Sequence, residues 1–232
     1  EIELGWSTDQ QTMLKVGRSR MSVNLGSEEF PERVSLDLRD LRVEPNVGAE
    51  HIDISHFELH VRRAAPINPT VDMAFFIEDL VFGQASGYIF GQDLQELSVE
   101  ISLKGNLPRM WTRPALNEWS ETGGLVELHK LQMRWGDLDL KVDGTFAVDN
   151  EFRPIGAASA AIKGYLALLQ ELGRKGLISN PTAFAAGLAF DLLAEPDSGD
   201  GKGVLRVPIT IQDGKLHLGP VPLIEVGPII AP

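Results

Sequence analysis

His51, His56 and His60 fall within one stretch of ten residues. Histidine is the side chain most used to ligate metals or move protons near neutral pH. A metal centre needs three or four such donors converging on one point, with carboxylates or further imidazoles completing the set. On an extended strand with an irregularity at Ser55-His56 the three would share a polar face, and no carboxylate ladder in the sequence completes a facial set around them. The expectation is solvated surface histidines and no metal centre. The acidic pairs Glu28-Glu29 and Glu78-Asp79 read as exposed, solubilising charge.

Other chemistry is sparse. The chain has no GxSxG elbow, HExxH helix, P-loop or dinucleotide fingerprint. A Ser/His/Asp triad assembled in space is never excluded by sequence, and nothing in the linear pattern suggests one. Absence of cysteine removes thiol nucleophiles, disulfides and zinc–thiolate sites together. The most unusual polar–aromatic cluster runs from Leu107 to Pro114. There Arg109, Met110, Trp111 and Arg113 could touch lipid headgroups or a partner protein. The competing reading has Met110 and Trp111 capping one end of a sheet, as tryptophan is largely buried on average.

The chain has 232 residues and a formal charge of −12, with a pI of about 4.8. An acidic surface argues against nucleic acid, whose phosphates require clustered Lys and Arg, and against docking on anionic headgroups. A chain of this length can be one undivided β domain. No run of 18 apolar residues exists to span a bilayer. The chain opens on polar Glu1-Ile2-Glu3 without a signal peptide, so any signal or anchor is expected upstream of it.

What must position the histidines is a set of strands with a recurring defect. Apolar and polar residues alternate, slip by one, and resume on the same face. The slip occurs at Arg39-Asp40, Ser55-His56, Glu78-Asp79, Gln95-Glu96 and His129-Lys130. These pairs lack the Gly or Asn that a two-residue hairpin demands, so each reads as a β-bulge, which adds a residue and bends the strand. Gly136-Asp137 and Asp213-Gly214 do fit hairpins, the second of type I′. The fold expected is mainly β: one long, curved antiparallel sheet, groove- or barrel-like, in a single domain over residues 1–232. Residues 1–150 supply the curved sheet. Residues 151–232 add a two-helix insert near 165–193, a closing hairpin and a Pro-dotted tail that is at most an edge strand. A short helix is expected from Arg113 to Ser120, and others at Tyr165–Leu172 and Pro181–Leu193. Asn180 should be N-cap of the last. Leu166, Leu169 and Leu172, and Phe184, Leu188 and Leu192, are the expected inward faces.

The slipped strands put Leu36, Leu38, Leu41, Ile52, Ile54 and Phe57 on one face. Phe75, Ile77, Leu80, Leu128, Leu131 and Met133 join them. The other face is wet, with Ser35, Asp37, Asp53, Glu58, Ser102 and Glu127 among its residues. Whether the apolar face closes on itself as core or remains a groove is not decided by periodicity.

Several stretches together resemble a known family. They are Phe30-Pro31-Glu32-Arg33 with the alternation Val34 to Leu38, Leu116 to Trp119 with Gly123-Gly124, and Met133 to Gly136. Gly144 to Asp149, Arg153 to Gly156 and Asp213 to Leu223 complete the set. The resemblance, from about Gly26 onward, is to domain of unknown function 2125, grouped with AsmA-like proteobacterial envelope proteins. It implies an inner-membrane tether, a periplasm-facing domain in Gram-negative bacteria, and curved β-sheets linked to phospholipid movement. It implies no catalytic residue. The resulting expectation is a non-enzymatic envelope protein without cofactor that binds or transfers lipid acyl chains along the twelve apolar residues named above. Two alternatives stay open. One is a scaffold making contacts with an envelope protein partner, its apolar face wholly buried as core. The other is a hydrolase of envelope lipids or glycans with a site hidden in loops.

Overall fold

The computed structural model describes residues 4–5, 12–26, 31–44, 51–64, 69–83, 90–108, 110, 112–196 and 203–230. In order, its strands are β1 (Leu4–Gly5), β2 (Met13–Leu25), β3 (Pro31–Glu44), β4 (Ile52–Ala64), β5 (Thr70–Phe82) and β6 (Asp93–Lys104). Helix α1 (Arg113–Glu121) precedes β7 (Leu125–Trp135), β8 (Leu138–Val148) and β9 (Pro154–Lys163). Helices α2 (Tyr165–Arg174) and α3 (Asn180–Leu193) follow, then β10 (Glu195–Pro196), β11 (Gly203–Gln212), β12 (Lys215–Leu218) and β13 (Val221–Glu225). All pairings are antiparallel and nearly every strand pairs with its neighbour in sequence, giving the order β1 to β9 then β11-β12-β13, with β10 beside β11. The sheet is mainly a meander and is open; its ends, β1 and β13, do not pair to close a barrel.

Register proves the two-faced character. One ladder runs Leu38, Phe57, Ile77, Leu97, Met133, Leu140 across six strands. Another runs Leu41, Ile54, Leu80, Leu94, Trp135, Leu138. Between them lies the cause of the slip. Asp40, Ser55 and Asp79, each skipped by the pairing on both sides, stand at one level with Gly17 of β2, skipped against β3, and Gln95 of β6, skipped against β5 and β7. Since β2 to β6 each carry their own extra residue there, those five strands stay in step. The defect is one continuous crease instead of separate bulges. Asp40 and Asp79 adopt left-handed backbone, φ 55° and 48°, which aspartate tolerates better than most residues. Gly17 is required by this crease: a Cβ there would lie 2.9 Å from Asp40 Cβ.

The expectation of five bulges therefore needs correction. Register shifts accompany only two of them, at Gln95 against β7 and at His129 against both of its neighbours. In the other three the adjoining strand has matched the extra residue. The hairpins are as expected: Trp135 pairs Leu138 around Gly136-Asp137, and Gln212 pairs Lys215 around Asp213-Gly214, whose φ values are 52° and 70°.

Helices α2 and α3 connect β9 to β11 and cover the apolar face of the C-terminal strands. Leu169, Leu172, Ala186 and Phe190 pack there with Leu138, Val142, Ala160, Ile162, Leu205 and Val207. The small side chains of Ala158 and Ala160 on β9 sit in this same core. Tyr165 Oη donates to Asp191 Oδ1 at 2.8 Å, tying α2 to α3. Burial, with Asp191 as acceptor and negative neighbour, pushes the Tyr165 phenol up to about 12. A second, smaller core under α1 gathers Leu116, Trp119 and Val148.

Two helix details differ from expectation. The N-cap of α3 is Ser179, whose hydroxyl accepts from Thr182 N at 3.2 Å, and not Asn180. The expected inward faces are also partly wrong. Leu166 is exposed, and Phe184, Leu188 and Leu192 are 71%, 56% and 88% exposed. The buried side of α3 is Ala186, Gly187 and Phe190. This helix is apolar nearly all round, so periodicity could not choose its face, and close packing against α2 selected the small residues.

Candidate functional site

The twelve residues expected to line a lipid surface do share one face. Leu41 is buried and the other eleven are half-buried. Leu128, Leu131 and Met133 reach the edge of the helix-covered core. Those on β3, β4 and β5 belong to no core cluster among the described residues. They form an apolar surface that α2 and α3 do not roof. At one end of it Trp135 meets Phe82 and Phe90, ring centroids 5.9 and 5.8 Å away, and its indole donates to Gly91 O at 3.0 Å.

The loop cluster divides. Arg109 and Trp111 lie outside the described residues. Met110 is 72% exposed, so it does not cap the sheet. Arg113 starts α1 with its guanidinium 4.8 Å from the Phe152 ring centroid, and its buried Nε has no hydrogen-bond partner among the described residues. It serves packing more than a free membrane or partner contact.

The opposite face is a lattice of cross-strand ion pairs. Arg42 meets Asp53 at 2.6 Å, Arg62 meets Asp72 at 2.6 Å, and Arg134 meets Glu96 at 2.9 Å. Hydrogen bonding from Arg42 holds the Asp53 carboxyl below its ordinary range. Bonds from Arg62 and then Ser102 do the same for Asp72. A cavity of about 490 Å³ opens on this face, lined by Arg33, Ser35, His60, Arg62, Asp72, Ser102 and His129 among others.

Inside that cavity the structure assembles a serine, a histidine and an aspartate that sequence did not bring together. Ser102 Oγ lies 2.7 Å from Asp72 Oδ1 and 2.7 Å from His129 Nε2. Strands β5, β6 and β7 contribute one each, and the bulge at His129 swings its ring toward the polar face. The order of the relay matters. A nucleophilic triad places histidine between serine and carboxylate, but here Ser102 is central. Its single proton goes to Asp72, which can only accept, so His129 must donate to Ser102. Asp72, held low by Arg62, is a poor base.

The histidines also depart from expectation. His51 and His60 are about half exposed, yet His56 is 7% exposed and buried. Its Nε2 lies 3.0 Å from Asp37 Oδ1 and 3.0 Å from Glu58 Oε1. Asp37 pairs with Glu58 across β3–β4, and His56 stands two residues before Glu58 on the same face. The carboxylates missing from the local sequence around His56 are thus supplied partly by the neighbouring strand. The reading of three solvated histidines with no ligand set around them is corrected for His56.

A family model described as an uncharacterised protein conserved in bacteria, DUF2125, matches residues 3–226, and the chain belongs to that family. No curated protein matches, and no solved structure matches.

Proposed function

We propose that this DUF2125 protein is a non-catalytic lipid-binding protein, taking an acyl chain on the unroofed apolar face of β3–β7. One observation carries the reading: a continuous apolar face, eleven of its twelve named residues half-buried, is covered by helices only toward its C-terminal strands. Apolar patches beyond a few hundred Å² are uncommon on monomers and mark surfaces that bind something apolar. Strands of 13 residues extend about 43 Å at 3.3 Å per residue, longer than an extended acyl tail. Each methylene buried there contributes about 0.8 kcal/mol, so affinity needs no headgroup contact. The same proposal places the domain in the periplasm of Gram-negative bacteria, tethered to the inner membrane, as the resemblance to AsmA-like envelope proteins implies.

Native mass spectrometry of protein purified from an envelope fraction, beside a lipid extract, tests this. Bound phospholipid or fatty acid, reduced at least about tenfold by Phe57→Ser with Ile77→Ser, is the expected result. Protein free of lipid but crosslinked to a stable protein partner gives the scaffold reading its place, and the exposed outer side of α3 would then be the first surface to probe. For catalysis, ester hydrolysis by the wild type and by Ser102→Ala should be equal; a rate lost in the variant would make the Ser102 cavity a hydrolase site.

A further inference from the structure

We propose that Asp37, His56 and Glu58 form a binding site for a zinc ion on the polar face of β3–β4. Their ligand atoms all lie within 4.8 Å of one another. Two of the three separations, His56 Nε2 to each carboxylate, are 3.0 Å. Oxygen and nitrogen ligands about 2.0–2.1 Å from tetrahedral zinc stand roughly 3.3 Å apart, so only small rotations are needed to admit the ion.

The arrangement has a feature that hydrogen bonding alone does not resolve. Two carboxylates converge on one ring nitrogen, and that nitrogen carries at most one proton. The N–H can be directed at Asp37 Oδ1, which leaves Glu58 Oε1 equally near with no proton to accept. A cation in place of that proton satisfies all three groups and cancels the repulsion between the two anions. Imidazole with two carboxylates is a donor set suited to zinc, leaving a fourth position for water.

The surroundings support it. His56 Nδ1 faces Glu78 Oε2 at 3.8 Å, the side on which metal-binding histidines carry a carboxylate that orients the ring. The Phe76 ring stands edge-on to His56 at 5.8 Å and walls the site. Glu58 Oε2 is held by His60 Nε2 at 3.2 Å, and His60 Nδ1 by Ser35 Oγ at 3.1 Å. Arg39 Nε lies 3.6 Å from Asp37 Oδ1; it is the cation that zinc would displace, and its half-exposed side chain can swing into solvent.

The test uses the full chain freed of metal with a chelator. Zinc chloride alone is titrated by calorimetry, and cobalt(II) chloride is added separately to read the visible bands of a low-symmetry site. One equivalent should bind. Asp37→Asn and Glu58→Gln, near-isosteric and checked for unchanged unfolding midpoints, should each weaken zinc at least about tenfold, since even outer-sphere partners are worth that much. His129→Gln, outside the cluster, should bind as the wild type does. Absence of binding to the wild type overturns the proposal. So does zinc affinity that survives both carboxylate substitutions, or that is lost with His129.

Discussion

One apolar face runs through this molecule and meets two fates. Over β8, β9 and β11 the helices α2 and α3 lie on it, and Ile162, Leu169, Leu205 and Phe190 are all but removed from solvent. Over β3 to β5 the ladders through Leu38, Phe57 and Ile77 continue the same face at similar hydrophobicity, yet remain half-buried. The strands do not differ in kind; what differs is whether the chain supplies a second layer. A sheet needs such a layer to make a core. Where no second layer lies among the described residues, the half-buried face is either a cost or a binding surface.

The largest effect that would sharpen this contrast is in the covered half. Phe190→Ala should destabilise by about 3–5 kcal/mol in urea unfolding, because the ring is wholly enclosed and the cavity cannot collapse easily. The matching change on the open half, Phe57→Ala, should cost only about 1–2 kcal/mol, since water already reaches part of the ring. Equal losses would break the comparison and mean that the open half is covered after all.

Next in size is the tie between the covering helices. Tyr165→Phe should cost about 1 kcal/mol by loss of the bond to Asp191. The phenol's pKa is raised from its ordinary 10.0 to about 12 in the folded protein, so its contribution is complete below pH 10 and fades as pH climbs through 12. Wild-type stability should decline over that window more steeply than that of Tyr165→Phe, as followed by circular dichroism.

On the polar face the sign reverses. Asp53 and Asp72, and with them Asp149 in the turn between β8 and β9, are held below their ordinary value of 3.8. For Asp149 burial acts upward, and hydrogen bonds from Arg153 and Glu151 outweigh it. Their stabilisation is present above about pH 4 and is lost as pH falls through the depressed values. Being partly solvated, each should matter by less than about 1 kcal/mol; Asp72→Asn should flatten the acid limb of the stability profile slightly. Smallest of all, Leu192→Ser on the outer side of α3 should change stability by no more than about 0.5 kcal/mol, because that side chain is 88% exposed. A larger loss would show that this side of the helix is covered.

The alternation of apolar residues was enough to identify β3 to β8, β11, β12 and the shared face of Leu36 to Met133, though not β2 or β9, and glycine beside aspartate marked the two tight turns. These are local properties: period two sets the face, and Gly136-Asp137 or Asp213-Gly214 sets the reversal. The slip at Arg39-Asp40 was legible as an extra residue, but its alignment with Gly17, Ser55, Asp79 and Gln95 was not. A bulge is defined by what the partner strand does, and no single strand records that. For α3 the signal failed because Phe184, Leu188, Leu192 and Phe190 are all apolar, so hydrophobicity could not point inward.

The sequence by itself determined that this is an antiparallel, two-faced β protein, without thiol chemistry and with a closing helical insert, because composition and period act along the chain. Only the tertiary structure decided which apolar residues are roofed and which polar ones converge. Asp37 beside His56 and Glu58, and Asp72 with Ser102 and His129, are neighbours through strand register alone. Register is fixed by pairing across the sheet, so side chains about 20 to 30 residues apart in sequence came to lie within hydrogen-bond reach.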